Sequence, residues 1–443
     1  MRVLFATIPE KSHLFCMTPL AWAMRAAGHE VRVASCKELA DVVAATGMTA
    51  VATGTNDGIN ASMHANRDAQ EMAELISWNE LDPAKLTYEA EAYRAQVVAY
   101  ACAMFNETMI PDMVEFARVW RPDLVVWDSL TYAGPIVAGV VGAAHVRSLC
   151  FADVWVKKRE ILRELALGVP ADERKDPLAE WLGDRAEEFG GAFGEELTTG
   201  QLTLDPLPGS LGIDTGAPRT PIRFVPYNGP AVVPDWLTAP PERTRVCMTL
   251  GASNTERHGG DYVSKGDILG QLAELDAEVV AALLPSQIEE LGTLPDNVRA
   301  VSSVPLHALL PSCSLLIHHG GFGSYANALM YGVPQLTVTT PLADQLYRGA
   351  GIEEQGAGLL LGTDRATPEA VYERASRILA DASFQRNATR LREEAAALPS
   401  PAEVVPVLEE LTRERRQEPW QFEGTAVSRL DDMFTALVVE PRG

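Results

Sequence analysis

Two groups of residues in this chain could do chemistry together. The first is His318, His319, Gly320, Gly321, Phe322 and Gly323, which follow the short apolar run Ser314–Ile317 and precede the helix-forming stretch Ser324–Tyr331. A strand, a glycine loop and a helix in that order leave backbone N–H groups at the positive end of a helix dipole, and glycines let an anion approach the main chain. That arrangement suits a diphosphate, with the two histidines as neutral donors beside it. The second group is His13 and Asp128, each placed just after an apolar strand, Arg2–Ile8 and Asp123–Trp127. At a helix N-terminus His13 should be held as a free base near neutral pH, because the dipole disfavours imidazolium. Asp128 can accept the other ring N–H, fix the tautomer and stabilise the imidazolium that forms on proton abstraction. Such a pair deprotonates a hydroxyl. Plainer readings stay open at this point: the glycines only let a strand and helix pack, and His13 and Asp128 each cap a helix.

The elements that must position these residues follow an alternating pattern. Strand Arg2–Ile8, helix His13–Ala27 stopped by Gly28, strand Glu30–Ser35, helix Lys37–Thr46 and strand Thr49–Thr53 read as β-α-β-α-β, the doubly wound signature. In an open sheet of that winding the first and fourth strands are neighbours, and ligands bind beyond their carboxyl ends, so His13 and Asp128 converge there. From Gly54 to about Leu86 the pattern dissolves. Met63, Met72, Ile76, Trp78, Leu81 and Leu86 in this stretch either line a greasy acceptor pocket or pack the loop itself. One long helix, Tyr93–Trp120, leads to the fourth strand; helix Pro135–Gly142, strand His145–Cys150 and two charged amphipathic helices within 154–200 follow.

Asp205–Pro241 holds nine of the 29 prolines, a density that excludes helix and central strand. Alternation resumes at Arg245 and runs to about residue 415. The chain therefore reads as α/β, with two Rossmann-like βαβ domains facing across a cleft: 1–215, a Pro-rich linker at 216–241, a second domain at 242–415, and a charged tail at 416–443 with an amphipathic helix near Val427–Leu437.

Composition excludes several classes of partner. The chain has 37 Lys and Arg against 60 Asp and Glu, a formal charge of −23, so its surface should repel nucleic acid and anionic lipid. An anionic ligand must then be held by local backbone donors. The six scattered cysteines suggest a reducing cytoplasm, and no run has the length or apolarity of a membrane span or export signal. No Asp-x-Asp or His-Glu-x-x-His pair marks a metal site, so neither metal nor other cofactor is expected. Two rival functions remain. Gly321 to Ala326 fits G-x-G-x-x-A after a strand, with Asp344 about twenty residues on, as in an NAD(P)-dependent oxidoreductase. The other rival is a non-catalytic nucleotide- or carbohydrate-binding protein.

Several ordered motifs carry a likeness to a known family: KSHLF (Lys11–Phe15), PLAWAMRAAGHEVRVAS (Pro19–Ser35), RPDLVVWD (Arg121–Asp128), VPLHALLPSC (Val304–Cys313), HHGGFGS (His318–Ser324) and GVPQL (Gly332–Leu336). DPLAEWL (Asp176–Leu182) and RFVPYNGPAVVPDWL (Arg223–Leu237) belong with them. Together they resemble the GT-B antibiotic glycosyltransferases of family 1, and among these the macrolide and anthracycline dTDP-deoxysugar transferases of the erythromycin desosaminyltransferase type. The resemblance implies an inverting transfer of a deoxysugar from a dTDP-sugar to a hydrophobic polyketide aglycone in antibiotic biosynthesis. It implies His13 as general base and Asp128, where several members carry Glu, as its acidic partner. It places the donor diphosphate against Ser253, His318, Gly320, Gly321, Gly323 and Ser324, the last where many relatives have Thr. Val304 matches the base-stacking segment, Asn327 lies near a ribose contact that is Glu in some relatives, and Asp344 and Gln345 match contacts to the donor sugar. A cytochrome-like auxiliary protein on the N-terminal domain accompanies many members; whether this chain needs one, and whether it forms a homodimer, the sequence leaves open.

Overall fold

A computed structural model describes residues 1–56, 78–249, 264–302, 304–341 and 343–421. Ser253, Met63, Met72, Ile76 and the expected tail helix lie outside them. Two parallel sheets organise the chain. The first contains β1 (Arg2–Ala6), β2 (Glu30–Ser35), β3 (Thr49–Ala52), β4 (Leu124–Asp128), β5 (Ala144–Ser148), β6 (Thr203–Asp205) and β7 (Arg219–Pro221), in the order 3-2-1-4-5-6-7. The second contains β8 (Arg245–Thr249), β9 (Glu278–Ala282), β10 (Val298–Val301), β11 (Leu315–His318), β12 (Gln335–Thr339) and β13 (Gly358–Gly362), in the order 10-9-8-11-12-13. Helices cover both faces, so central strands are buried on both sides: every residue of β4, β8, β11 and β12 is buried. This is why VVW and LLI appear in the sequence as unbroken apolar runs rather than as alternation.

β1 lies between β2 and β4, with Ala6 opposite Trp127, which brings the residues just beyond these two strands to the same edge of the sheet. The second sheet repeats the plan, with β11 between β8 and β12.

The structure differs from the sequence reading in two elements of the first half. The single helix expected over Tyr93–Trp120 is two, Tyr88–Asn106 and Met109–Trp120. The buried Asn106 makes the break. Its Nδ2 donates to the carbonyls of Cys102 and Leu130 and its Oδ1 accepts from the N–H of Ala133, so a side-chain amide ties the helix end to the turn after β4. Also, β6 runs up to the first residue of the proline-rich region, and β7 lies within the stretch read as linker. As the outermost strand of its sheet, β7 tolerates Pro221 because an edge strand can lack a ladder N–H.

The two halves share a continuous apolar cluster. Leu207, Leu211, Ile213 and Phe224 meet Phe322, Tyr325 and Ile352 from the second half. Phe224 and Phe322 stack edge to face at 5.8 Å, a geometry worth roughly 0.5–1.5 kcal/mol beyond the area it buries. The chain then crosses back. Helix Pro401–Arg415 puts Val404, Val405 and Leu408 into the core formed by the first helix and first sheet, and Trp420 donates its N–H to the Gly139 carbonyl.

Candidate active site

β1 ends at Ala6, and helix Lys11–Ala26 begins five residues later, with His13 in its first turn. The imidazole does not cap that helix. Its Nδ1 lies 2.7 Å from Asp128 Oδ1, at the last residue of β4. Asp128 Oδ2 meanwhile accepts from the Leu130 N–H and the Thr131 hydroxyl. The carboxylate therefore does both things the sequence allowed: one oxygen holds its own turn and the other orients the histidine. With Nδ1–H donating to Asp128, Nε2 is the proton-accepting nitrogen. The His13 side chain retains 16% of its exposure while Asp128 retains 1%, which is the burial expected of a base that meets a substrate and an orienter that does not.

The electrostatics of His13 correct the sequence reading. Burial is the largest influence and lowers its pKa, but Asp128, by charge and by hydrogen bond, together with Glu10 and Cys16, outweighs it, so the net shift is upward from 6.5. A carboxylate in contact overrides a helix dipole, whose partial charge is about half a unit. Cys150, just past β5, completes the surroundings, its Sγ 3.2 Å from His13 Nδ1.

A row of aromatic rings leads away from His13. Phe151 meets the imidazole at 6.4 Å, Trp155 meets Phe151 at 6.0 Å, and Trp78 meets Trp155 at 4.6 Å. Trp78 is buried and also carries the Arg94 guanidinium on its face at 5.2 Å.

In the second half the glycine loop joins β11 to helix Phe322–Tyr331. Gly321 is the cap and offers no side chain to the first turn, so the N–H groups of that turn are presented to whatever binds there. Gly320 turns with φ +91°, and a Cβ on it would come within 2.9 Å of Thr339 Oγ1. A Cβ on Gly321 would meet the His319 ring at 2.5 Å, whereas one on Gly323 would meet nothing within 4 Å. Ser324 follows, half-buried in the first turn.

The structure revises several residues around this loop. His318 is fully buried, its Nδ1 accepts from the Gly320 N–H, and its Nε2 faces Gln335 Oε1 at 2.9 Å. Both ring nitrogens are thus consumed inside the protein, and His318 shapes the loop instead of touching a diphosphate. His319 is the ring that remains: it is half-buried, and its Nδ1 has no protein partner. Both histidines are held neutral, chiefly by burial, at about 3 for His318 and about 4 for His319. Asn327 is also corrected. It is fully buried and donates to the Gly323 carbonyl of its own helix.

Asp344 moves from sugar contact to structural tie. Its carboxylate is buried, grips Arg348 at 2.5 and 3.0 Å, and accepts the Ala152 N–H of the first half at 2.7 Å. Gln345 stays half-buried at its helix start, with Oε1 taken by the Thr339 hydroxyl. Val304 packs beside Leu309 and Leu310.

Arg348 is the residue that sequence reasoning passed over. It donates to the Gly320 carbonyl at 2.8 Å and lies over the faces of Tyr325 and Phe322, which puts a buried cation directly behind the anion cradle. Its spacing four residues after Asp344 on a helix was the available signal.

Comparison with known proteins decides the family. Residues 22–251 match the N-terminal domain, and residues 266–411 the C-terminal domain, of the model described as erythromycin biosynthesis protein CIII-like. The chain belongs to this family. This CIII-like protein is 44% identical to the 3-alpha-mycarosylerythronolide B desosaminyl transferase of Saccharopolyspora erythraea, over 94% of its own length and 100% of the relative's. It is 42% identical to the aclacinomycin-T 2-deoxy-L-fucose transferase of Streptomyces galilaeus, over 94% and 98%. The solved structure of the glycosyltransferase VinC in complex with dTDP superposes with a TM-score of 0.84 at 41% identity, covering 94% of this chain and 100% of that one. The CIII-like chain is a glycosyltransferase of GT-B fold, and neither the oxidoreductase nor the non-catalytic reading stands. Among the described residues, no helix is long and apolar enough to cross a membrane.

Proposed function

We propose that this glycosyltransferase moves a deoxysugar from a dTDP-sugar to a hydroxyl of a hydrophobic polyketide aglycone of macrolide or anthracycline type, with inversion at the anomeric carbon and His13 as general base. The observation that carries this reading is the 2.7 Å contact between His13 and Asp128 at the carboxyl ends of adjacent strands. The names of the desosaminyl and 2-deoxy-L-fucose transferases support the sugar and aglycone classes, and dTDP in the VinC complex supports the donor.

His13 Nε2 takes the acceptor hydroxyl proton as the oxygen bonds to the anomeric carbon, and Asp128 stabilises the imidazolium. The bond from that carbon to the diphosphate oxygen breaks on the opposite face, so a single displacement inverts the centre. Charge developing on dTDP is met by the first-turn N–H groups of Phe322–Tyr331, by Ser324 and His319, and by the field of Arg348 behind Gly320. By the family resemblance, Ser253 is assigned a second phosphate contact, Val304 the base and Gln345 the donor sugar. The rings of Phe151, Trp155 and Trp78 give the aglycone an apolar wall. No metal takes part, so turnover persists in excess chelator.

The deciding experiment is transfer from a panel of dTDP-deoxysugars to macrolide and anthracycline aglycones, with and without a cytochrome-like auxiliary protein. Product with inverted anomeric configuration is the expected result. Product of retained configuration, or transfer only from donors other than dTDP-sugars, would overturn it.

A further inference from the structure

His13, Asp128 and Cys150 come from the carboxyl ends of three adjacent strands, β1, β4 and β5, and their ligand atoms lie within 4.8 Å of one another. Nδ1 of His13 is 3.2 Å from Cys150 Sγ and 2.7 Å from Asp128 Oδ1, and Sγ is 3.7 Å from the same carboxylate oxygen. Around a tetrahedral zinc ion, with bonds of roughly 2.0–2.3 Å, such atoms stand about 3.3–3.6 Å apart. Two of the three separations already bracket that spacing, and the third must open by about half an ångström. Cys16 stands three residues along the first helix from His13 and is only partly buried.

We infer that His13, Asp128 and Cys150 form a binding site for a thiophilic divalent cation such as Zn²⁺ or Cd²⁺, and that its occupation switches the enzyme off. Binding forms metal–nitrogen, metal–oxygen and metal–sulfur bonds. It moves the imidazole proton from Nδ1 to Nε2 and releases the Cys150 thiol proton to solvent. The nitrogen that should accept the acceptor hydroxyl's proton then carries one of its own. The site itself rests on the geometry of the cluster; only its effect on turnover rests on His13 being the base.

The test therefore reads binding without substrate. Cd²⁺ is titrated into the full chain while the sulfur-to-cadmium charge-transfer absorbance in the ultraviolet is followed, for wild type, Cys150→Ser, His13→Asn and Cys16→Ser, each checked by thermal melting. The expected result is a band saturating near one equivalent. The band is lost in Cys150→Ser, which removes its sulfur, and its affinity falls at least ten-fold in His13→Asn, since loss of a direct ligand costs no less than loss of an outer partner, while Cys16→Ser keeps the band. A band that persists in Cys150→Ser, an affinity unchanged in His13→Asn, or a band removed by Cys16→Ser alone overturns the site. If Cys150→Ser does not fold, His13→Asn decides. Should the band behave as expected while Zn²⁺ leaves turnover unaffected, the site stands and the assignment of His13 as base falls.

Discussion

Asp344 accepts the backbone N–H of Ala152 at 2.7 Å, a single bond that joins the loop carrying Cys150, beside His13, to the helix carrying Arg348, behind the glycine loop. This buried carboxylate ties the two halves together alongside the apolar cluster around Phe224 and Phe322.

Replacing that carboxylate should be costly. Asp344→Ala leaves the Arg348 guanidinium buried without its counter-charge, and removing one partner of a buried pair costs about 3–5 kcal/mol. Chemical denaturation measures it. Asp344→Asn keeps an acceptor for Ala152 and should lose less; equal loss in both variants would mean that the charge, not the N–H contact, dominates.

The pH dependence of turnover follows from the sign of the His13 shift. A base acts in its neutral form, so activity should rise with pH through a midpoint above 6.5, because Asp128, with Glu10 and Cys16, raises the pKa of His13 more than burial lowers it. Asp128→Asn removes the raising partner and leaves burial, so the midpoint should move to lower pH while the maximal rate falls through loss of the tautomer lock. A midpoint that stays or moves up contradicts the pairing.

Gly321→Val should weaken dTDP binding, because a side chain there runs into the His319 ring at 2.5 Å and distorts the glycine loop. Calorimetry with dTDP checks this. His318→Ala should act differently: it removes the anchor of the Gly320 N–H and a fully buried ring, so its loss should appear first as reduced thermal stability.

Much of the site was legible because parallel α/β winding forces it. Once β1 and β4 are neighbours, residues just past their ends must meet, and His13 and Asp128 do. The glycine loop was legible because a strand, glycines and a helix admit few geometries. What stayed hidden depended on long-range packing. His318 and His319 look equivalent in sequence, and only burial of the first within β11 separates them. Asp344 is ambiguous until the second half packs against Ala152. The helix break at Asn106 rests on a side chain that reaches Leu130 and Ala133, and β7 survives its proline only because it lies at a sheet edge. Cys150 joins His13 through a third strand, a proximity that residue spacing does not encode.

The proposed transfer requires His13 as the base opposite a separately held donor. The most direct measurement is the rate of sugar transfer by His13→Ala, set beside dTDP affinity on the same preparation. Turnover should fall about 10²-fold or more, the scale of a general base, with affinity unchanged. Wild-type turnover in that variant would contradict the account.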